Sequence, residues 1–258
     1  MRTETGLCIG DGQALPTPRA IATEAPVAVE YNGIGYAVMM MTPRDLNDFA
    51  LGFSMTERIV TDANEILDTD IADVPAGTIL RITVGREAAT RIGDRVRHRS
   101  SDTGCGLCGI ASLESLQRSL PPRPVPMPFP REAVRLALAR LRDHQPLGQQ
   151  TGATHAAAWC AEDGRILDVR EDVGRHNALD KLIGTLEGKK ERPGGFAIVT
   201  SRISFEMADK ALVARMPWLV GISAPTTMAL DHARRHGLGL VALARQDSMW
   251  CFSEPDQE

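Results

Sequence analysis

Ten residues, Pro121 to Pro130 (Pro-Pro-Arg-Pro-Val-Pro-Met-Pro-Phe-Pro), restrict the fold more than any other stretch of the chain. Proline fixes φ at about −65° and lacks a backbone N–H, so five alternating prolines cannot occupy a helix interior or a central strand. The stretch must run extended. We therefore expect two domains, over 1–120 and 131–258, joined by a Pro-rich linker over 121–130. A chain of 258 residues can bury about three quarters of its unfolded surface. Aromatic residues make up only 4% of it, so the core must rest on Ala, Leu, Val, Ile and Met.

Beyond the prolines the pattern becomes regular. Residues 131–144 read as an amphipathic helix with Val134, Leu138 and Leu141 on one face. Ala156–Cys160 and Ile166–Val169 flank Asp163-Gly164, a hairpin signal. Helices over 173–187, 204–216 and 226–236 then alternate with strands over Phe196–Thr200, Leu219–Ser223 and Leu238–Leu243. Such alternation predicts a layered α/β unit with a mostly parallel sheet. Ligands of such sheets bind beyond the carboxyl ends of the strands. That rule selects Thr200-Ser201-Arg202, Ser223-Ala224-Pro225-Thr226 and the turn after Leu243 with Arg245.

The N-terminal part is less regular. Residues 1–20 are polar with Gly and Pro and should be loosely held. Val27–Tyr31 and Ile34–Met41 around Asn32-Gly33 predict a hairpin. A helix should follow, capped by Thr42, with Pro43 at its first position and Leu46, Phe49, Ala50 and Phe53 on its buried stripe. Ile79–Val84 alternates as a strand, and six arginines between Arg81 and Arg99 suggest a solvated strand face or a wall for an anionic ligand.

Ser100–Ile110 holds Cys105 and Cys108, the only closely spaced pair among five cysteines, with glycines at 104, 106 and 109. Small neighbours leave both thiols open to a partner. Leu113, Leu116 and Leu120 recur at helical spacing, which puts the pair near a helix start. Lowering a thiol pKa from about 8.5 to about 6.5 takes roughly 2.7 kcal/mol. A helix terminus contributes about 0.3–1 kcal/mol, so Arg95, Arg97 and Arg99 must assist. A zinc site would need a second ligand pair, which the scattered Cys8, Cys160 and Cys251 do not supply. A thioredoxin-type motif would follow the first strand of a βαβ unit, and this one lies mid-chain.

Other candidates cluster at predicted strand ends. Asp172 is placed to cap a helix, whereas Arg175, His176 and Asn177 at that helix start suit an anionic or amide-bearing ligand. Ser201-Arg202 is a natural phosphate seat. No Walker lysine motif and no GxGxxG occur, which argues against an ordinary ATPase or dinucleotide enzyme. Thr151-Gly152-Ala153-Thr154-His155-Ala156-Ala157 echoes the entry of zinc deaminases, but Ala157 replaces the catalytic Glu and no Pro-Cys-x-x-Cys follows. His155 is either a core residue or a ligand contact.

The net charge of −4 gives no general attraction to nucleic acid, and no 18-residue apolar run predicts a membrane span. Odd cysteine usage without a secretory signal leads us to expect a reducing cytoplasm.

Five stretches together resemble the formate dehydrogenase accessory sulfurtransferase (FdhD) family. They are Thr-Gly-Cys-Gly-Leu-Cys-Gly (103–109), Thr-Gly-Ala-Thr-His-Ala-Ala-Ala (151–158), Glu-Asp-Val-Gly-Arg-His-Asn-Ala-Leu-Asp-Lys (171–181), Thr-Ser-Arg-Ile-Ser-Phe-Glu-Met-Ala-Asp-Lys-Ala (200–211) and Gly-Ile-Ser-Ala-Pro-Thr (221–226). With the N-terminal hairpin and helix they span about Glu24 to Arg245 in family order. The resemblance implies an α/β fold: a C-terminal cytidine-deaminase-like layered α/β/α domain with a smaller N-terminal α+β domain. It implies a sulfur carrier that receives a persulfide from a cysteine desulfurase and passes sulfur to the molybdenum (or tungsten) bis-molybdopterin guanine dinucleotide, bound as substrate. Sulfurated cofactor would then enter the formate dehydrogenase catalytic subunit. Carried over by position, Cys105 is the persulfide cysteine and Cys108 its partner, and the cofactor-contact segment is Leu243, Ala244, Arg245, Gln246, Asp247 and Ser248. Arg175, Arg202 and Arg245 would neutralise pyrophosphate, beside Ser201, His176 and His155, and Asn177 would read guanine or pterin edges. The family has Gly after its Arg where this chain has Arg245-Gln246-Asp247, and Ser-Gly-Arg where this chain has Thr200-Ser201-Arg202. A homodimer would match the cofactor's two guanine arms. The rival readings are a cofactor-binding chaperone without covalent sulfur transfer and a thiol oxidoreductase.

Overall fold

The computed structural model describes residues 1–10, 12–101 and 120–255. The chain opens with β1 (Arg2–Gly10) and β2 (Gln13–Ile21), an antiparallel ribbon paired from Arg2↔Ile21 to Gly10↔Gln13 with nearly every side chain exposed. This departs from the loosely held start that its polar composition predicts.

A four-stranded sheet follows, in the order β4-β3-β6-β5. Its strands are β3 (Ala25–Tyr31), β4 (Ile34–Met41), β5 (Ile66–Val74) and β6 (Gly77–Val84). Asn32 and Gly33 both adopt positive φ, 49° and 79°, the conformation a two-residue hairpin turn requires. Helix α1 (Leu46–Thr56) buries Leu46, Phe49, Ala50 and Phe53 against this sheet, as predicted. Its N-cap is Asp45, left-handed at φ 53°, and not Thr42. The arginine-rich stretch is also corrected: from Arg86 to Ser101 the chain is helix α2, whose Ala88 and Ile92, one turn apart, enter the core. Arg91 does not line an anion wall, because its Nε donates to Ile59 O and its guanidinium pairs with Glu65.

The prolines run extended against the next unit. Pro124 is buried, Met127 O accepts from Trp218 Nε1 at 2.8 Å, and the Phe129 ring lies 4.9 Å from that of Trp218. Helices α3 (Arg131–Arg140) and α4 (Pro146–Thr151) lead into a six-stranded sheet of order β12-β11-β10-β9-β7-β8. Its strands are β7 (His155–Ala161), β8 (Ile166–Asp172), β9 (Gly195–Val199), β10 (Trp218–Gly221), β11 (Gly239–Ala242) and β12 (Trp250–Ser253). β9, β10 and β11 are parallel neighbours, while β7 pairs antiparallel with β8 and β9, and β12 antiparallel with β11. Successive side chains of a strand face opposite sides. Accordingly Ala157, Trp159, Ala197, Val199 and Leu219 join the core of α5 (Arg175–Glu187), α6 (Phe205–Val213) and α7 (Thr227–His236). Ala158, Cys160, Phe196, Ile198 and Trp218 join that of α3.

The two units are joined closely through α1 and α5. A Cβ on Gly52 would fall 1.8 Å from Asp180 O, and one on Gly184 would fall 1.8 Å from Asp48 O, so here the bare backbones touch. Side chains fasten the joint. Lys210 Nζ donates to both oxygens of Asp180 at 2.8 Å, and Thr56 Oγ1 donates to Asp180 Oδ1 at 2.7 Å. Arg58 grips Asp209 with two bonds of 3.0 and 2.9 Å, and Arg170 holds Asp48 at 2.7 Å. Burial raises the Asp180 pKa, against the pull of Lys210.

Candidate functional site

Every strand-end candidate gathers at one end of the six-stranded sheet. Four carboxyl ends lie there: β8 before Val173–Asn177, β9 before Thr200–Arg202, β10 before Ile222–Thr226 and β11 before Leu243–Ser248. His155 opens the antiparallel β7 at the same rim, paired with Asp172. Backbone bonds lace the loops together: Ile222 N to Val199 O, Ile203 N to Ala224 O, Thr226 N to Ile203 O and Leu243 N to Ser223 O.

The turn from β8 into α5 is built around Asp172, which is fully buried. Oδ1 accepts from Gly174 N at 2.7 Å and Asn177 Nδ2 at 3.2 Å; Oδ2 accepts from Lys181 Nζ at 2.6 Å and Thr42 N at 3.1 Å. Lys181, also fully buried, donates to Thr42 O at 2.8 Å, and Thr42 Oγ1 accepts from Val173 N at 3.2 Å. All three polar groups of Thr42 are thus engaged by residues 130 to 139 positions along the chain, and it does not cap α1. Asp172 shapes the turn rather than capping α5, whose N-cap is Gly174 with no side-chain bond. Asn177 is buried and also donates to Met40 O at 3.0 Å. Its amide nitrogen braces the turn from within, so we do not retain it as a reader of base edges.

The next two residues differ in kind. Arg175 Nε and His176 Nε2 are buried and have no hydrogen-bond partner among the described residues. His176 Nε2 stands 3.2 Å from Glu206 Oε2, close enough for ion pairing but off the hydrogen-bond line. A buried N–H left unpaired costs about 1–3 kcal/mol, more when charged, so the arrangement calls for an acceptor. Burial and the Arg175 charge lower the pKa of His176, with Lys210 adding to them and Glu206 opposing. Burial and Arg175 do the same to His155, against Asp172. Two neutral imidazoles beside a guanidinium, at an uncapped helix start, form a basic cluster that can gain positive charge by taking up a proton.

Arg202 is exposed with no ion-pair partner among the described residues, while Ser201 is buried and its hydroxyl donates to Arg202 O at 3.0 Å. The Leu243–Ser248 turn is closed by Arg245 N to Ser248 O at 2.7 Å and strapped by Arg135 Nε to Gln246 O at 2.7 Å. Arg245 Nη1 donates to Ile222 O and Ala244 O, which fixes its exposed guanidinium over the rim. Gln246, Asp247 and Ser248 are exposed, Ala244 is buried, and Leu243 sits at φ 51°. A left-handed non-glycine costs about 1–3 kcal/mol and tends to mark functional loops.

A cleft of about 780 Å³ opens at the opposite end of the sheet, between the prolines and residues 186–195. Its Arg192 donates to Ala214 O and Arg215 O, and its Lys189 pairs with Asp168. Lys189 and Arg192 there are already engaged, whereas the rim holds a buried Arg175 Nε with no partner among the described residues, and we place the site at the rim.

Cys105 and Cys108 lie outside the described residues. Among the other cysteines, burial pushes the Cys160 thiol up to about 12, and burial with the Glu254 charge raises that of Cys251. Neither is an activated nucleophile. No cluster of three or more metal-ligating side chains occurs among the described residues, and no helix there is long and apolar enough to cross a membrane.

The sequence model of the FdhD/NarQ family matches residues 22–257. The chain is 45% identical over 245 residues to the "Sulfur carrier protein FdhD" of Variovorax paradoxus, covering 94% of this chain and 88% of that one. It is 44% identical over 247 residues to the protein of that name in Xanthomonas euvesicatoria, covering 95% and 88%. A crystal structure described as a candidate formate dehydrogenase accessory protein from Desulfotalea psychrophila superposes with a TM-score of 0.76 at 24% identity, covering 99% of this chain and 97% of that one. At that identity the likeness speaks for the fold. On the family match and these relatives together, the chain belongs to the FdhD/NarQ family.

Proposed function

We propose that this protein is a sulfur carrier serving formate dehydrogenase, and that its strand-end rim holds the pyrophosphate part of a molybdenum or tungsten bis-guanine-dinucleotide pterin, bound as substrate. The Cys105 thiolate attacks the outer sulfur of a cysteine desulfurase persulfide, and the desulfurase thiolate leaves. Cys108 then attacks the inner sulfur of the Cys105 persulfide, closing a disulfide and releasing the outer sulfur as sulfide to the cofactor metal. The six-stranded unit, with helices on both faces, is read as the deaminase-like domain of this carrier. Two supports carry the proposal: the relatives named sulfur carriers, and the buried Arg175 Nε, with no hydrogen-bond partner among the described residues, beside His176 at an uncapped helix start.

Pyrophosphate is the test ligand. In the free protein both imidazoles have pKa values below the ordinary 6.5. A bound anion favours imidazolium and raises them, so binding takes up protons. Affinity should therefore increase as pH falls from about 8 to about 6. Calorimetry should show Arg175→Ala weakening pyrophosphate by about tenfold or more, and His176→Gln flattening the pH slope. An affinity indifferent to both changes contradicts the assignment.

A further inference from the structure

Trp250 is 62% exposed, and no other Phe, Tyr or Trp ring is exposed among the described residues. Trp159 and Trp218 are 1% exposed and donate their indole N–H inside the protein, to Pro193 O and Met127 O. An indole in water forgoes the free energy of burial, so folding gains little from this position. The ring is nevertheless held. Trp250 pairs with Ala242, the last residue of β11, and Phe252 lies alongside with its ring 18° from parallel and 6.2 Å away.

Two more exposed apolar side chains lie at this end of the sheet. Leu243 follows β11, and Met228 is on the first turn of α7, which packs on β11 and β12. Cations stand further along the rim: Arg245 on the intervening turn, and Arg202 after β9, three strand positions from β12. Three strand spacings are about 14 Å, within reach of an extended nucleoside diphosphate. An exposed indole at one end of a rim and guanidinium groups further along it complement a ligand with a planar base and a phosphate tail. We propose that Trp250 is the stacking platform for a purine base, lying on the indole while the phosphates extend toward Arg202. This rests on the reading of the rim as the nucleotide-cofactor seat.

Because the other two indoles are buried, quenching of tryptophan emission reports on Trp250. Titrating GDP into the full chain should quench that emission saturably. Trp250→Ala should abolish the quench and weaken GDP by about 5- to 100-fold, Trp250→Phe should restore most of the affinity, and pyrophosphate should bind all three proteins equally. Equal GDP affinity in wild type and Trp250→Ala overturns the platform and leaves the phosphate seat standing. So does a wild type that binds pyrophosphate but takes GDP no better, or a Trp250→Ala protein altered only in oligomeric state. A wild type that binds neither ligand overturns the seat and the platform together.

Discussion

Lys181→Met should destabilise the protein by about 3–5 kcal/mol, the usual cost of stranding one member of a buried ion pair. Asp172, at zero exposure, would lose its closest partner, at 2.6 Å, while Thr42 O would lose the donor at 2.8 Å. With total stabilities of about 5–15 kcal/mol, that is a large share of what holds the fold. Thermal unfolding of a chain this size should shift down by about 6–20 °C. Adding Asp172→Asn removes the stranded charge, so the double variant should recover about 1 kcal/mol or more over Lys181→Met. A loss under about 1 kcal/mol in the single variant would show that the knot is not needed for stability. The damage should also be local. The knot links Thr42 to the turn that carries Arg175 and His176, so the surviving folded protein should bind pyrophosphate more weakly.

Cys105→Ala should abolish sulfur delivery altogether. The carrier reading assigns the covalent step to one thiolate. Cys160, whose thiol burial pushes up to about 12, and Cys251, raised by burial and the Glu254 charge, are poorer nucleophiles. In cells lacking the native gene, Cys105→Ala should support no formate dehydrogenase activity, although the variant folds and still binds pyrophosphate. Full activity with Cys105 and Cys108 both replaced would instead favour a chaperone that only docks the cofactor.

Five of the six strands of the C-terminal sheet were legible; β12 was not, and with three of five pairings antiparallel the sheet is mixed rather than mostly parallel. The stretch read as Phe196–Thr200 is β9 (Gly195–Val199), and that read as Leu219–Ser223 is β10 (Trp218–Gly221). Buried parallel strands are short apolar runs bounded by polar turns, so little else fits. The strand-end rule then brought Arg175, His176, Arg202 and Arg245 to one rim, because it depends only on strand direction. Other features left no such trace. The β1–β2 ribbon buries neither face and so carries no periodicity. Among the described side chains of helix α2, Ala88 and Ile92 are the buried ones, a signal too short to outweigh the surrounding arginines. Thr42 had the look of a cap because capping is a local property; its capture by Asp172 and Lys181 is a contact across 130 residues that no window reveals. Asn177 suited a ligand by type and position, and only burial showed its amide turned inward. Trp250 is a lone aromatic with no sequence signature of function, and its exposure beside the rim is visible only in the fold.

The most direct test is to incubate the wild-type protein with a cysteine desulfurase and cysteine, then map the mass gained by peptide. A single added sulfur, about 32 Da, on the peptide holding Cys105 is the predicted result. No gain, or a gain confined to Cys8 or Cys251, would contradict the carrier mechanism.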